Sequence, residues 1–256
     1  TKDEIGELAA RVNKLYASLL STIENLEEEK RKASEAEQSK IDFLRAASHE
    51  LKTPVTALNA ILENMILGVG KYKDRDTCLL ECREITGQLS FMIKEILDTS
   101  RLDFIQEKQD AETFELSERL PAICEPYQLI AKAKGLDFSF SIQGKCPVHT
   151  SKKGLEKILS NLLSNAVSYT KPGCKITVLL TARQIKIENE CTPIPPDKLA
   201  HVFEPFYRPD FARDRKDGGN GLGLYIVDTL SKALGLPYQF EATKNPPGMC
   251  FTLYLS

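Results

Sequence analysis

The sequence predicts a multidomain protein. An α-helical coiled coil leads into a helical hairpin that forms a dimeric four-helix bundle, and an α/β sandwich follows. Three observations predict it. Apolar residues recur at steps of three and four along the N-terminal part. Beyond residue 110, alternating strand-like runs interleave with helix-like ones. The 256 residues are also too many for one compact bundle and, at roughly 150 residues per domain, suggest about two units.

Residues 1–42 read as one helix. Ile5, Leu8, Val12, Leu15, Leu19, Thr22 and Leu26 step by three and four, a heptad seam that argues for a coiled coil. The stretch ENLEEEKRKASEAEQSK that follows is charged, with only small apolar residues, and reads as a solvated face. Residues 43–105 read as a hairpin. FLRAASHELKTPVTALNAILENMI is its first helix, GVGKYKD its turn, and Cys78, Cys82, Ile85, Leu89, Met92 and Ile96 the buried stripe of its second. Two amphipathic helices bury little alone, so pairing with a second copy is the natural completion.

Residues 110–256 read as the sandwich. FELSERLPAICEPYQLIAKAKG is a strand then a helix, and LDFSFSI is a strand. KKGLEKILSNLLSNAVSYT is a helix stopped by Lys171, Pro172 and Gly173. KITVLLT and QIKIEN are strands, DKLAHVFEPF a short helix, RPDFARDRKDGGNG a long polar loop resembling a lid, and LGLYIVDTLSKALG a helix. YQFEAT and MCFTLYLS close the chain as a hairpin.

Composition narrows the function classes. Apolar residues make up 42% and charged residues 27%, as in ordinary globular proteins. With 34 basic and 36 acidic residues the net charge is −2, which lacks the basic footprint of a nucleic-acid binder. No apolar run approaches the ~18 residues of a membrane helix, and TKDEIGELAA is neither a signal nor a transit peptide. The seven cysteines are an odd number and form no CxxC, which argues against a zinc ribbon or redox pair; they read as reduced thiols of a cytosolic compartment, and the composition excludes a disulfide scaffold.

Four motifs carry chemistry. In SHELKTP, His49 lies on a helix beside Glu50. A neutral imidazole offers one lone pair, and a carboxylate taking the proton of the other nitrogen makes it more nucleophilic. Pro54 withholds a donor from the carbonyl of Glu50 and bends the helix there. On spacing alone, an exposed histidine before a kink fits equally well. In LEKILSNLLSNAVSYT, Asn161 and Asn165 share a helix face opposite Leu155, Ile158, Leu159, Leu162 and Leu163. Two carboxamides offer oxygens to Mg²⁺, Glu156 could hold a magnesium-bound water, Tyr169 could lie on an adenine, and Lys171 is within reach of phosphate. Plain surface asparagines remain the alternative. In IENECTPIPPDKL, Asn189 ends a strand, where an amide can pair with an adenine edge or simply cap the turn. In GGNGLGLYIV, Gly219, Gly221 and Gly223 precede a helix whose N–H groups suit phosphate, although a lone glycine motif is weak.

Taken together, in this order and spacing, the motifs resemble those of bacterial two-component sensor histidine kinases. SHELKTP is similar to the H box, LSNLLSNAVSYT to the N box, FEPFYR to the F box and GGNGLGL to the G2 box. DEIGELAARVNKL is similar to the second helix of a HAMP relay. The HELKTPVTALNAILENMI region resembles sensor kinases of vancomycin-resistance operons. The resemblance implies a sandwich of the GHKL ATPase type that uses ATP and Mg²⁺, and a homodimer that passes a phosphoryl group from histidine to an aspartate of a response regulator receiver domain. It implies a membrane anchor in a missing N-terminal part, so that this chain is the cytoplasmic portion of a cell-membrane protein. His49 becomes the phospho-acceptor, Glu50 its base, and Thr53 a residue that orients water for dephosphorylating the regulator. Asn161 becomes the magnesium ligand, with Glu156 behind a bound water, Asn165 near the phosphates and Tyr169 near the adenine. Phe203 and Phe206 become lid anchors, the three glycines line the phosphates, and the linker from Leu102 to Gln109 becomes a hinge.

The sequence departs from the family at one box. Where relatives have Asp-x-Gly-x-Gly, this chain has Asn189, Cys191 and Pro193. Asparagine keeps an acceptor oxygen, loses the charge and gains an N–H₂. ATP is expected to bind still. The rival readings are an ATP-hydrolysing machine on the same nucleotide fold, and a dimer acting mainly as a phosphatase.

Overall fold

The computed structural model describes residues 2–102, 111–209 and 219–255. It divides into two units, Thr1–Lys52 and Thr53–Ser256. A single helix, α1 (Lys2–Leu67), runs from the first into the second. In the first unit, Leu8, Val12, Leu15, Leu19 and Leu26 are all exposed. Ion pairs one turn apart, such as Arg11 with Glu7 at 2.5 Å and Arg31 with Glu35 at 2.6 Å, lie along the same helix. Such pairs contribute about 0.2–0.5 kcal/mol each. They support the helix, while the apolar seam is left without a packing surface in one chain.

The second unit opens with the hairpin. α1 ends at Leu67, a 3₁₀ turn spans Gly70–Lys73, and α2 covers Arg75–Leu102. Asp74 starts α2 by accepting from the Thr77 hydroxyl at 2.6 Å and its N–H at 3.3 Å. The expected stripe is the inward face: Cys78 and Cys82 are buried, and Ile85, Leu89, Met92 and Ile96 are half-buried. Between Leu102, which ends α2, and Ala111, the expected hinge lies outside the described residues.

The sandwich comprises β1 (Ala111–Glu115), α3 (Leu116–Ala133), β2 (Asp137–Ile142), β3 (Pro147–Ser151), α4 (Lys152–Tyr169), β4 (Lys175–Leu180), β5 (Gln184–Glu190), α5 (Pro196–Leu199), α6 (Gly223–Leu234), β6 (Tyr238–Lys244) and β7 (Pro247–Tyr254). Five strands form one sheet in the order β2-β4-β5-β7-β6, with β2 and β4 parallel and the other pairs antiparallel. β1 and β3 form a separate antiparallel pair. Burial alternates along β4 (Ile176, Val178 and Leu180 inward), the period-2 pattern of a half-covered strand. Leu155, Ile158, Leu159 and Leu163 of α4, Leu120 of α3 and Ile226 and Leu230 of α6 are fully buried; α4 packs against α3, α6 and β5, and α3 against β2. Burying a leucine or isoleucine contributes roughly 1.5–3 kcal/mol, so this layer holds the sandwich together.

Two elements differ from expectation. β3 has no counterpart in the sequence pattern, because PVHTS is short and begins on proline; it also delivers Ser151, whose hydroxyl accepts from Gly154 N at 3.3 Å and caps α4. The helix expected over DKLAHVFEPF is confined to α5. Phe206, at its far end, has φ +63°, a left-handed conformation that no helix continues through.

Candidate nucleotide and phospho-acceptor sites

In the first unit, His49 has 79% of its side chain exposed, and its Nδ1 lies 3.5 Å from Glu50 Oε1. The other two histidines are satisfied locally. His149 Nδ1 lies 2.9 Å from the Thr113 hydroxyl, and His201 Nδ1 lies 2.7 Å from Glu204 Oε1. With Nδ1 turned toward Glu50, Nε2 is the nitrogen left to react. Thr53, in the second unit, is exposed, and Pro54 lies inside α1.

Within the second unit a cavity of about 180 Å³ gathers residues from distant parts of the sequence. Asn161, Asn165 and Tyr169 line it from α4, Asn189 from β5, and Gly219, Gly221 and Gly223 from the turn into α6. Helical spacing explains the first group, because positions four apart share a face; Leu162, expected on the opposite side, lines the cavity as well, while Leu155, Ile158, Leu159 and Leu163 are fully buried away from it. Four of the expected residues are not on its wall. Glu156 is held by Arg119 of α3, whose Nε lies 3.1 Å from its Oε1 and whose Nη2 also bonds it. Glu156, expected to hold a magnesium-bound water, thus has its Oε1 paired with a cation on the neighbouring helix. Lys171 is exposed just past the end of α4. Phe203 packs on Tyr238 and Phe240, at 5.3 Å and 6.0 Å between ring centres. Phe206 enters through its backbone, its N–H donating to Gly221 O at 3.1 Å. Residues 210–218 of the expected lid lie outside the described residues.

The three glycines do different work. A Cβ on Gly221, which has φ +80°, would sit 2.7–2.9 Å from the Phe206 backbone. A Cβ on Gly223 would lie 3.2 Å from both terminal atoms of Asn165 and 3.5 Å from Asn161 Oδ1. Around Gly219 there is open space. Gly221 thus ties the turn to the phenylalanine motif, and Gly223 lets α6 begin against the two asparagines.

Hydrogen bonds orient the amides. Asn161 Nδ2 donates to Lys157 O at 2.8 Å. A carbonyl only accepts, so the amide nitrogen must face it, and Oδ1 is left as an acceptor beside Gly223. Asn189 Nδ2 lies 3.2 Å from the Thr170 hydroxyl. Two further wall atoms, Glu95 Oε2 of α2 and Asn220 Nδ2, are buried, near enough to interact with each other but without a well-formed hydrogen bond. Burial above all, with Asp98 adding to it, holds the Glu95 carboxyl above its usual range, while the nearby Asn220 amide and Lys157 ammonium oppose this. Buried polar atoms without a well-formed hydrogen bond suit a polar ligand.

No group of three or more His, Cys, Asp or Glu side chains among the described residues could hold a metal by itself. A Mg²⁺ ion fits here only in the way it usually binds with nucleotides, through few protein oxygens plus phosphate oxygens, and the free Asn161 carbonyl suits that. Sequence reasoning missed Phe91, Glu95, Asn220 and Thr170. Thr170 had a signal, since it ends the quoted LSNLLSNAVSYT motif, but it read only as the last residue of the helix.

Comparisons with known proteins agree with this arrangement. Residues 39–104 match the His Kinase A (phospho-acceptor) domain, and residues 150–256 match the histidine kinase-, DNA gyrase B- and HSP90-like ATPase family. Sensor histidine protein kinase HK06 of Streptococcus pneumoniae is 33% identical over 99% of this chain and 56% of its own length. Sensor protein VanSB of Enterococcus faecalis is 34% identical over 99% of this chain and 57% of its own. The chain therefore spans a little over half the length of these relatives. In fold it is similar to Acinetobacter baumannii histidine kinase AdeS (TM-score 0.60, 23% identity, 81% of this chain and 97% of that one). It is also similar to histidine kinase ThkA, solved in complex with the response regulator protein TrrA (TM-score 0.64, 19% identity, 89% of this chain and 65% of that one). With a phospho-acceptor domain carrying an open histidine, and an ATPase-family domain whose asparagines and glycines meet at one cavity, the chain belongs to the two-component sensor histidine kinases.

Proposed function

We propose that this chain transfers the γ-phosphoryl group of ATP to His49 and passes it to an aspartate on the receiver domain of a response regulator. The observation that carries the reading is the meeting of Asn161, Asn165, Asn189 and the Gly219–Gly223 turn at one cavity. Glu50 accepts the Nδ1 proton of His49, and the Nε2 lone pair attacks phosphorus as the bond to ADP breaks. Asn189 and Tyr169 hold the adenine, while the α6 N-terminus and Gly221 face the phosphates. Asn161 Oδ1, with Asn165 beside it, would hold Mg²⁺, which would supply charge neutralisation at the phosphates. Little else is needed beyond positioning. Thr53 serves the opposing phosphatase activity by orienting the water that hydrolyses the regulator's aspartyl phosphate to free phosphate.

The functional divisions are a relay helix over 1–42, a phosphotransfer hairpin over 43–105 and a catalytic domain over 110–256. Two copies pair through the hairpin, consistent with the phospho-acceptor family match. The ThkA complex, in which that kinase was solved with a response regulator, supports a receiver-domain partner here. No helix among the described residues is long and apolar enough to cross a membrane. The chain spans 56% of HK06 and 57% of VanSB. The relative VanSB supports a place among vancomycin-resistance sensor kinases.

Incubation with γ-labelled ATP tests the reading. Acid-labile, alkali-stable label on the wild type and none on His49→Gln is expected. Free phosphate without protein label would instead mark an ATPase. No label, with loss of label from a phosphorylated regulator, would mark a phosphatase.

A further inference from the structure

We propose that Thr170 is a specificity-determining positioning residue: it fixes the Asn189 amide with its oxygen toward the cavity, so that this box still selects adenine over guanine without its aspartate. The inference rests on the reading of the cavity as a nucleotide site.

An aspartate in this place can only accept hydrogen bonds when ionised, so it suits the adenine amino group and opposes the guanine carbonyl whichever way it turns. An asparagine has no such built-in sense. Rotated by half a turn, its N–H₂ would face the base and welcome a carbonyl instead. Something in the protein must decide which end points inward.

The geometry points to Thr170. Its hydroxyl lies 2.7 Å from Ala166 O. A carbonyl oxygen only accepts, so the hydroxyl spends its one proton there and keeps only lone pairs. The Asn189 atom 3.2 Å from that oxygen must then be the nitrogen. Since Asn189 lines the cavity, its Oδ1 is the group left for a ligand. Thr170 is only 6% exposed at the end of α4, so water does not readily take over its role. Turning the amide round would set an acceptor against an acceptor in a buried place. The chain of three, from Ala166 O through the Thr170 hydroxyl to the Asn189 amide, thus converts an ambiguous side chain into an acceptor.

Thr170→Val keeps the shape and removes the hydroxyl; Thr170→Ser keeps the hydroxyl. Dissociation constants for Mg·ATP and Mg·GTP, measured by calorimetry on the whole chain, give the ratio that matters. In Thr170→Val the preference for ATP is expected to shrink by about tenfold or more, the size of effect of one mispaired polar group. In Thr170→Ser it stays within about threefold of the wild type. Adding Asn189→Asp to Thr170→Val restores the preference, since a carboxylate needs no orienting, whereas damage to packing would not be repaired this way. Should the valine variant not fold, Thr170→Ala removes the same hydroxyl without the added methyl. A folded Thr170→Val or Thr170→Ala variant with an unchanged ratio overturns the proposal. A wild type that binds neither nucleotide overturns the nucleotide reading itself, and the proposal with it.

Discussion

Replacing Gly221 with alanine separates a structural glycine from its neighbours in the same motif. The new Cβ would lie 2.7 Å from the Phe206 carbonyl carbon, about 0.7 Å short of the 3.4 Å at which ordinary contact begins. The obstacle is backbone, so no rotamer change relieves it. Gly221 also has φ +80°, which costs an L-residue about 1–2 kcal/mol. Moving Phe206 away strains or breaks its N–H bond to Gly221 O, now 3.1 Å, which contributes about 1 kcal/mol. Phe206 itself has φ +63° and has little room to adjust. The total is about 3 kcal/mol, a large part of the ~5–15 kcal/mol that keeps a domain folded. For a domain of this size each kcal/mol lowers Tm by about 2–4 °C, so a fall of about 6–12 °C is expected. Thermal unfolding followed by circular dichroism measures it, with Gly219→Ala as comparator because nothing lies within 4 Å of that Cβ. If Gly221→Ala unfolds within about 2 °C of the wild type, or no lower than Gly219→Ala, the role given to the Phe206 contact is wrong.

Gly223→Ala should show the opposite pattern. Its Cβ meets side-chain atoms of Asn165 at 3.2 Å, which can give way, and alanine suits a helix better than glycine. Tm should barely change, while displacement of the asparagines weakens Mg·ATP binding about tenfold by calorimetry, equivalent to about 1.4 kcal/mol; a lowered Tm with unchanged affinity would contradict this. Glu95→Gln tests the buried carboxyl. A carboxyl whose folded pKa is raised above its ordinary 4.5 penalises the fold at high pH, and the penalty fades as pH falls toward that value. The variant should therefore gain denaturation midpoint at pH 7.5 and lose that gain as pH approaches 4.5, whereas a gain that is constant with pH would mean charge is not the cause.

How much of this was legible in the sequence depends on the distance over which each feature is encoded. The faces of α4 and the stripe of α2 were readable, because a helix presents its pattern within a few residues. The heptad seam of α1 was readable in the same way, and its leucines are exposed on the single chain. Partners distant in sequence were not readable. Arg119 claims Glu156 from another helix, and nothing local to LEKILSNLL announces it. Thr170 and Asn189 come from the end of α4 and the end of β5, which adjoin only because β4 carries the chain back beside β5. The three glycines looked equivalent in GGNGLGL; only the position of Phe206 and the asparagines tells them apart.

The altered adenine box shows why losing two glycines need not loosen or close the site. Family members place glycine just after the aspartate; here the turn holds Cys191 and Pro193. A close backbone approach comes here from the neighbouring strand. Gly248 of β7 pairs with Glu190, and a Cβ on it would overlap the carbonyl oxygen of Asn189. The same strand pins the turn beyond Glu190, since Cys191 N–H donates to Pro247 O at 3.2 Å and Ile194 N–H to Met249 Sδ at 3.3 Å. A proline-rich turn fastened to a hairpin loses little freedom when a ligand arrives, because most of that freedom is already gone. On this argument the substitution trades the charge of an aspartate for a preset backbone and an oriented amide. The glycine that permits the arrangement is in β7, far along the sequence from the box it serves.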